Sequence, residues 1–134
     1  MVDTSTNLII IGLPGSGKTT LMDSTELSRH RQFDDVNKSF ESMSEFRAAV
    51  EAQVPVVVSD ILFCDQGFLD RFVAKLPRGF SFHKIYFKND PGACIKNAAR
   101  RDRKHVDRDI QMIYRLSPNY HPPKEALSVF QHED

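Results

Sequence analysis

Gly12-Leu13-Pro14-Gly15-Ser16-Gly17-Lys18-Thr19-Thr20 is the stretch from which the rest of the chain is read. It spells G-x-x-x-x-G-K-T, the Walker A spacing. Glycines let the backbone turn tightly at positive φ. Such a turn aims successive N–H groups inward and makes a nest for an anion. Lys18 adds a mobile positive charge at the outer phosphates, and the Thr19 hydroxyl is a ligand for the Mg²⁺ that travels with a nucleotide. A helix starting here adds its positive dipole end. The motif therefore predicts nucleotide binding, ATP by default, at Gly12, Pro14, Gly15, Ser16, Gly17, Lys18, Thr19 and Thr20.

The flanks agree with that reading. Asn7-Leu8-Ile9-Ile10-Ile11 is a short apolar run of strand type that enters the loop, and Thr19 to Arg29 has helix-forming content with Leu21 and Leu27 as apolar marks. Further out, Gln32-Phe33-Asp34-Asp35-Val36 reads as a second strand ending in two acids. Ser42 with Glu45 three residues on reads as a capping box, opening a helix to about Gln53 that Pro55 ends. Val56-Val57-Val58-Ser59-Asp60 is a β-branched run typical of a strand buried on both faces. Asp60 stands at its C-terminal end, where ligands bind in open α/β sheets.

Asp65 to Leu76 has helical period, and Phe82 to Phe87 reads as a fourth strand. Pro91 suits the first position of a helix to about Asp102, followed by a helix from Val106 to Leu116. Residues 117–123 read as a loop, and Leu127-Ser128-Val129-Phe130 as a final short strand. Strands alternating with helices imply a parallel sheet with right-handed crossovers. The expected fold is a single α/β domain over residues 1–134, a three-layer α/β/α arrangement with about five strands and a helical lid at about 96–116.

Composition narrows the function. Lys plus Arg equals Asp plus Glu, so the formal net charge is zero, which argues against a wide footprint on duplex nucleic acid. Cys64 and Cys94 are far apart and without metal spacing, as expected of reduced thiols in the cytoplasm. The N-terminal residues are polar, and no apolar run approaches membrane-spanning length, so no membrane partner is expected.

Phosphoryl transfer needs positioning and charge neutralisation. Asp60 is expected to bind the metal, directly or through water, together with Thr19; the plainer alternative is an acid capping the next helix or held in a salt bridge. Asp35 or Asp34 is placed to accept a proton from an attacking hydroxyl. Neighbours on a strand point to opposite faces, so one of the two should serve, with Asp35 favoured; the alternative is a solvent-facing acidic turn. Arg100, Arg101, Arg103, Lys104 and Arg108, with His105, form a basic stretch that suits a mobile lid over phosphates. Its alternative is a solvated turn neutralised by Asp102, Asp107 and Asp109. Phe33, Phe40, Phe46, Phe63, Phe68, Phe72 and Phe82 read mainly as core, with Phe63 also placed to stack on a base. Nothing near Cys64 suggests an activated thiolate.

These pieces resemble the kinase domain of phage polynucleotide kinases. The resemblance rests on Gly12 to Thr19, on Asp34-Asp35 at the end of the second strand, on Val57-Val58-Ser59-Asp60, and on Cys94 through Tyr114 with Lys96-Asn97, Arg100 and Arg101. It extends to small phage and bacterial P-loop proteins of this length. It implies an ATP- and Mg²⁺-dependent kinase acting on a polynucleotide 5′-hydroxyl or a nucleoside-like acceptor. It also implies Arg100 or Arg101 as the lid arginine on the phosphates, with Arg103 in reserve. One departure is plain: the family's arginine three residues after its catalytic aspartate is replaced by Lys38, counted from Asp35, or by Asn37, counted from Asp34. The rival readings are a kinase of another small metabolite or nucleotide, and a nucleotide-binding module without catalysis.

Overall fold

The structure is a computed structural model and describes residues 6–101 and 104–129. Alternation along β1 (Asn7–Ile11) sends Ile9 and Ile11 to one face and Leu8 and Ile10 to the other. β3 (Val56–Ser59) does the same, with Val56 and Val58 opposite Val57. These two strands pair side by side, Leu8 opposite Val57 and Ile10 opposite Ser59. β2 (Arg31–Phe33) flanks β3, and β4 (Phe82–Tyr86) flanks β1, so the order is β2-β3-β1-β4 with every pairing parallel. Among the described residues four strands form the sheet, rather than about five.

The connection from β1 to β2 runs across the sheet one way, and those from β2 to β3 and β3 to β4 run the other. Right-handed crossovers then place α1 (Lys18–Met22) on one face and α2 (Phe40–Glu51) and α3 (Gln66–Ala74) on the opposite face. The packing follows: Met22 and Leu27 cover Leu8, Ile10 and Val57, while Phe46, Leu69, Phe72 and Ile113 cover Ile9, Ile11, Val56 and Val58. Burying each such side chain contributes about 1.5–3 kcal/mol. The reversal of direction lies between β1 and β3, so a crevice opens beyond their C-terminal ends. The glycine loop leaves β1 there, and Asp60 leaves β3.

Several boundaries differ from the expectation. α1 stops at Met22, and a 3₁₀ turn at Thr25–Leu27 replaces the rest of the predicted helix to Arg29. Asp, Ser and Thr are poor helix formers, and the run at 23–25 favours a turn over helix. β2 ends at Phe33, so Asp34 and Asp35 lie in a turn, with Asp35 left-handed at φ 51°. α2 is capped by Ser39, whose Oγ accepts the Ser42 N–H at 3.0 Å. Ser42 is therefore the third helical residue and not the cap, and Glu45 pairs with Arg31 at 3.8 Å instead of closing a box.

The predicted final strand reduces to one parallel bridge, Leu127 against Phe87. Its two hydrogen bonds are Leu127 N–H to Tyr86 O (2.8 Å) and Lys88 N–H to Leu127 O (2.7 Å). Phe130 lies outside the described residues, as does Asp102 at the end of the helix predicted from Pro91. α4 (Pro91–Arg101) and α5 (Val106–Leu116) complete the described helices. No helix among the described residues is long and apolar enough to cross a membrane.

Two features tie the C-terminal segment to the crevice. The buried Tyr120 hydroxyl lies in hydrogen-bond reach of Phe87 O and of Ile11 O, the latter at 3.2 Å, bracing the ends of β1 and β4. Asn89 donates to Ser117 O (2.7 Å) and Tyr120 O (3.0 Å) and holds the turn after α5 in place. Core roles hold for Phe33, Phe46, Phe63 and Phe72, which pack ring to ring with centroids 4.8–5.6 Å apart. Phe63 is buried among them and offers no face for stacking. Phe40 departs from the core reading: it opens α2 and is 88% exposed.

Candidate functional site

The glycine loop turns where the motif requires it. Gly15 (φ 82°) and Gly17 (φ 111°) adopt positive φ, and the Ser16 N–H closes a turn onto Leu13 O at 3.1 Å. Ser16 is fully buried, and its hydroxyl folds back against Gly12, where a Cβ would collide with it. Gly12 and Ser16 thus shape the loop from beneath. Among the described residues, the N–H groups of Gly15, Gly17, Lys18 and Thr19 have no backbone acceptor. Four such amides on one turn are an anion nest. α1 is only five residues long, so its dipole adds little to such a nest.

Lys18 is buried (8% exposed), and its Nζ donates to Gly12 O and Leu13 O, both at 2.8 Å. Burial lowers its pKa, against the opposing pull of Asp34 and Asp35. Among the described residues its hydrogen bonds go to these two carbonyls.

α4 sets the loop from behind. Asn97 is buried and donates from Nδ2 to Gly15 O at 2.8 Å. A Cβ on Gly15 would run into the Cys94 carbonyl of the same helix. Gly15→Ala therefore faces both a left-handed backbone and a fixed helix. It is expected to cost about 2–4 kcal/mol of stability, measured as a lower urea midpoint with unchanged slope.

The cleft over the loop has a volume of about 290 Å³ and brings together Pro14, Gly15, Lys18, Thr19, Asp34, Asp35 and Arg101. His105, Arg108 and Asp109 line it as well. Thr19 Oγ1 donates to Asp34 Oδ2 at 3.4 Å, so the acidic turn sits directly across from the loop. The expectation that alternation would turn one acid away fails, because both have left the strand and both line the cleft. Burial, with the charges of Asp34 and Asp60 added, raises the Asp35 pKa.

Asp60, expected to bind the metal directly or through water, lies outside the cleft lining and is held by its neighbours. Its Oδ2 accepts from the Asn37 N–H (3.0 Å) and Nδ2 (3.1 Å), and its Oδ1 caps the turn Ile61–Cys64 through the Leu62 N–H (2.9 Å). This is the capping alternative, and it does more than cap, because the same carboxylate latches the turn that carries Asp35. Asn37 is a site-shaping residue that sequence reasoning misses. Its one signal along the chain is the departure at the family's arginine position.

The arginines expected in a lid separate. Arg101 enters the cleft and pairs with Asp109 at 3.4 Å, while Arg100 is exposed and outside the lining. Arg108 joins from α5, pairing with Asp109 at 3.8 Å. Asp109, expected only as a neutralising surface acid, is 9% exposed. Its place four residues before Ile113, on the apolar side of a strongly amphipathic helix, is the signal that marks it. Thr20 is exposed on α1 away from the lining, and Arg103 lies outside the described residues. Cys64 and Cys94 are free and buried, and burial pushes their pKa values up to about 12 and about 11, which leaves them inert as nucleophiles.

No family model matches the chain, and no curated protein matches it significantly in sequence.

The residues fit a nucleotide with its metal. The nest and Lys18 suit a polyphosphate, and the Thr19 hydroxyl beside Asp34 suits an ion carried on it. Among the described residues no cluster of three or more His, Cys, Asp or Glu would hold a metal unaided. Mg²⁺ held by one or two protein oxygens and by substrate phosphates needs none.

Proposed function

We propose that the chain is an ATP-dependent phosphotransferase that moves the γ-phosphate to a hydroxyl acceptor, with Mg²⁺ as the partner of the nucleotide. The observation that carries this reading is the cleft itself: acceptor-free loop amides and Lys18 on one wall, Asp34 and Asp35 on the facing wall, and Arg101 with Arg108 beside them. A binding module needs only the first wall.

In this reading the loop amides and Lys18 grip the β- and γ-phosphates. Bound Mg²⁺ would supply further neutralisation of their oxygens. Asp35 takes the proton of the acceptor hydroxyl as its oxygen bonds to the γ-phosphorus, and the β–γ bridging oxygen keeps the electrons of the broken bond. Arg101 leaves Asp109 to meet the charge on the transferred group. The acceptor, a polynucleotide 5′-hydroxyl or a nucleoside-like hydroxyl, is proposed on the resemblance to polynucleotide kinases. The buried free thiols suit a reducing cytoplasm.

The test is transfer of label from γ-labelled ATP with Mg²⁺ to 5′-hydroxyl DNA and RNA oligonucleotides, nucleosides, nucleoside monophosphates and sugars. Acceptor-dependent label supports the reading and names the acceptor. Bound nucleotide with no labelled acceptor overturns it in favour of a binding module.

Asp109 supplies a second check. It puts a negative charge into an anion-binding cleft, where a unit charge opposes a phosphate by on the order of 1 kcal/mol. Asp109→Asn is therefore expected to tighten ATP binding about fivefold by calorimetry. Weaker binding would show that Asp109 chiefly holds Arg101 and Arg108 in position.

A further inference from the structure

A second hollow lies apart from the cleft over the glycine loop. It lies between α2 and α3 and has a volume of about 740 Å³. Met43, Phe46, Phe68, Phe72 and Leu76 line it with apolar and aromatic surface. Its size and lining match those of small-molecule sites, which run to about 300–1,000 Å³ with a few placed polar groups.

The polar groups are unbalanced. Arg47, Arg71 and Lys75 line the hollow against one carboxylate, Glu51. None of the three cations makes an ion pair among the described residues. Elsewhere Arg31 has Glu45, and Arg101 and Arg108 share Asp109. Arg71 lies back along α3: its guanidinium would meet a Cβ on Gly67, one turn earlier, at 3.4 Å. At the rim stands Phe40, 88% exposed. Leaving so large a ring in water forgoes about 1.5–3 kcal/mol of burial.

We propose that the α2–α3 hollow is a binding site for a small organic anion with an aromatic body. The body fills the apolar hollow and is covered by Phe40. The anionic group takes charge-assisted hydrogen bonds from the basic rim, which a neutral occupant would leave unanswered. The site is separate from the cleft and does not depend on the phosphotransferase reading. It is also not remote from the cleft. Its lining includes Asn37, two residues from Asp35 and bonded to Asp60.

The test uses two fluorescent probes of similar shape on the full chain, the anionic 1-anilinonaphthalene-8-sulfonate and the neutral N-phenyl-1-naphthylamine. One sulfonate probe per chain is expected to bind. Arg71→Gln with Lys75→Gln should weaken it at least about tenfold, and the neutral probe less than about twofold. Phe40→Ala should weaken both about fivefold, and Lys18→Ala should change neither. Phe40, Arg71 and Lys75 are exposed, and cooperative thermal unfolding of each variant checks the fold; Arg47→Gln repeats the charge test alone. Loose binding at several sites, or equal loss of both probes on charge removal, overturns the proposal in favour of plain apolar adhesion. A dimer in sedimentation that Phe40→Ala dissociates overturns it in favour of an interface between copies. Failure of the labelling experiment with probe binding intact removes the phosphotransferase reading and leaves this site standing.

Discussion

Lys18→Ala is expected to lower phosphoryl transfer by at least about 10³-fold, the scale of removing a preorganised charge from a transferring phosphoryl group. The side chain is buried and anchored by Gly12 O and Leu13 O at the base of the amide nest, so no neighbouring cation stands in its place. Arg101 and Arg108 line the same cleft and are tied to Asp109. Stability should move the other way or hardly at all. Burial lowers the pKa of the amine, so keeping it charged at neutral pH opposes folding. That penalty is present at neutral pH and is relieved only as pH rises toward 10.5. Lys18→Met, which fills the same space without charge, should therefore unfold at the same temperature as the parent or higher, while losing transfer as completely. Single-turnover transfer and thermal unfolding on one preparation check both halves. Transfer kept within about tenfold in both variants would end the assignment of Lys18.

Asp35→Asn should reduce transfer by about 10²- to 10⁴-fold, the range for loss of a positioned general base. Asn accepts the left-handed backbone that Asp35 adopts at φ 51°, so the turn survives. The folded state holds the Asp35 proton more tightly than the unfolded chain, first through burial and then through Asp34 and Asp60. Its ionisation thus destabilises the fold progressively as pH rises from 3.8 through the raised pKa, and the loss is complete above it. Asp35→Asn should therefore gain stability relative to the parent at neutral pH and lose that gain in acid. Transfer by the parent should fall as pH drops through the same raised pKa. Asp34→Asn separates the roles: if it abolishes transfer while Asp35→Asn retains it, the base is Asp34, the acid that Thr19 touches.

Much of the arrangement is legible along the chain because it depends on local rules. Positive φ at Gly15 and Gly17, the β-branched run of β3 and the helix at Val106–Leu116 follow from backbone sterics and side-chain period. Where near neighbours compete, local rules do not decide. Ser42 reads as the cap from its spacing to Glu45, whereas Ser39 caps α2 in the structure. Asp34 and Asp35 read as the end of a strand, and alternation then misleads because both lie in a turn.

By itself, the sequence determined that this protein has a parallel α/β core entered through a strand and a glycine loop, with Lys18 and Thr19 at its mouth. Those features are written in residues close together, where steric and hydrogen-bonding constraints act within a few bonds. The tertiary structure alone decided which charges meet. It latched Asp60 onto Asn37, brought Arg101 to the cleft, buried Asp109 between two arginines, and left Arg47, Arg71 and Lys75 around one hollow. Charge pairing depends on through-space distance and burial, and chain order carries neither until the helices are packed.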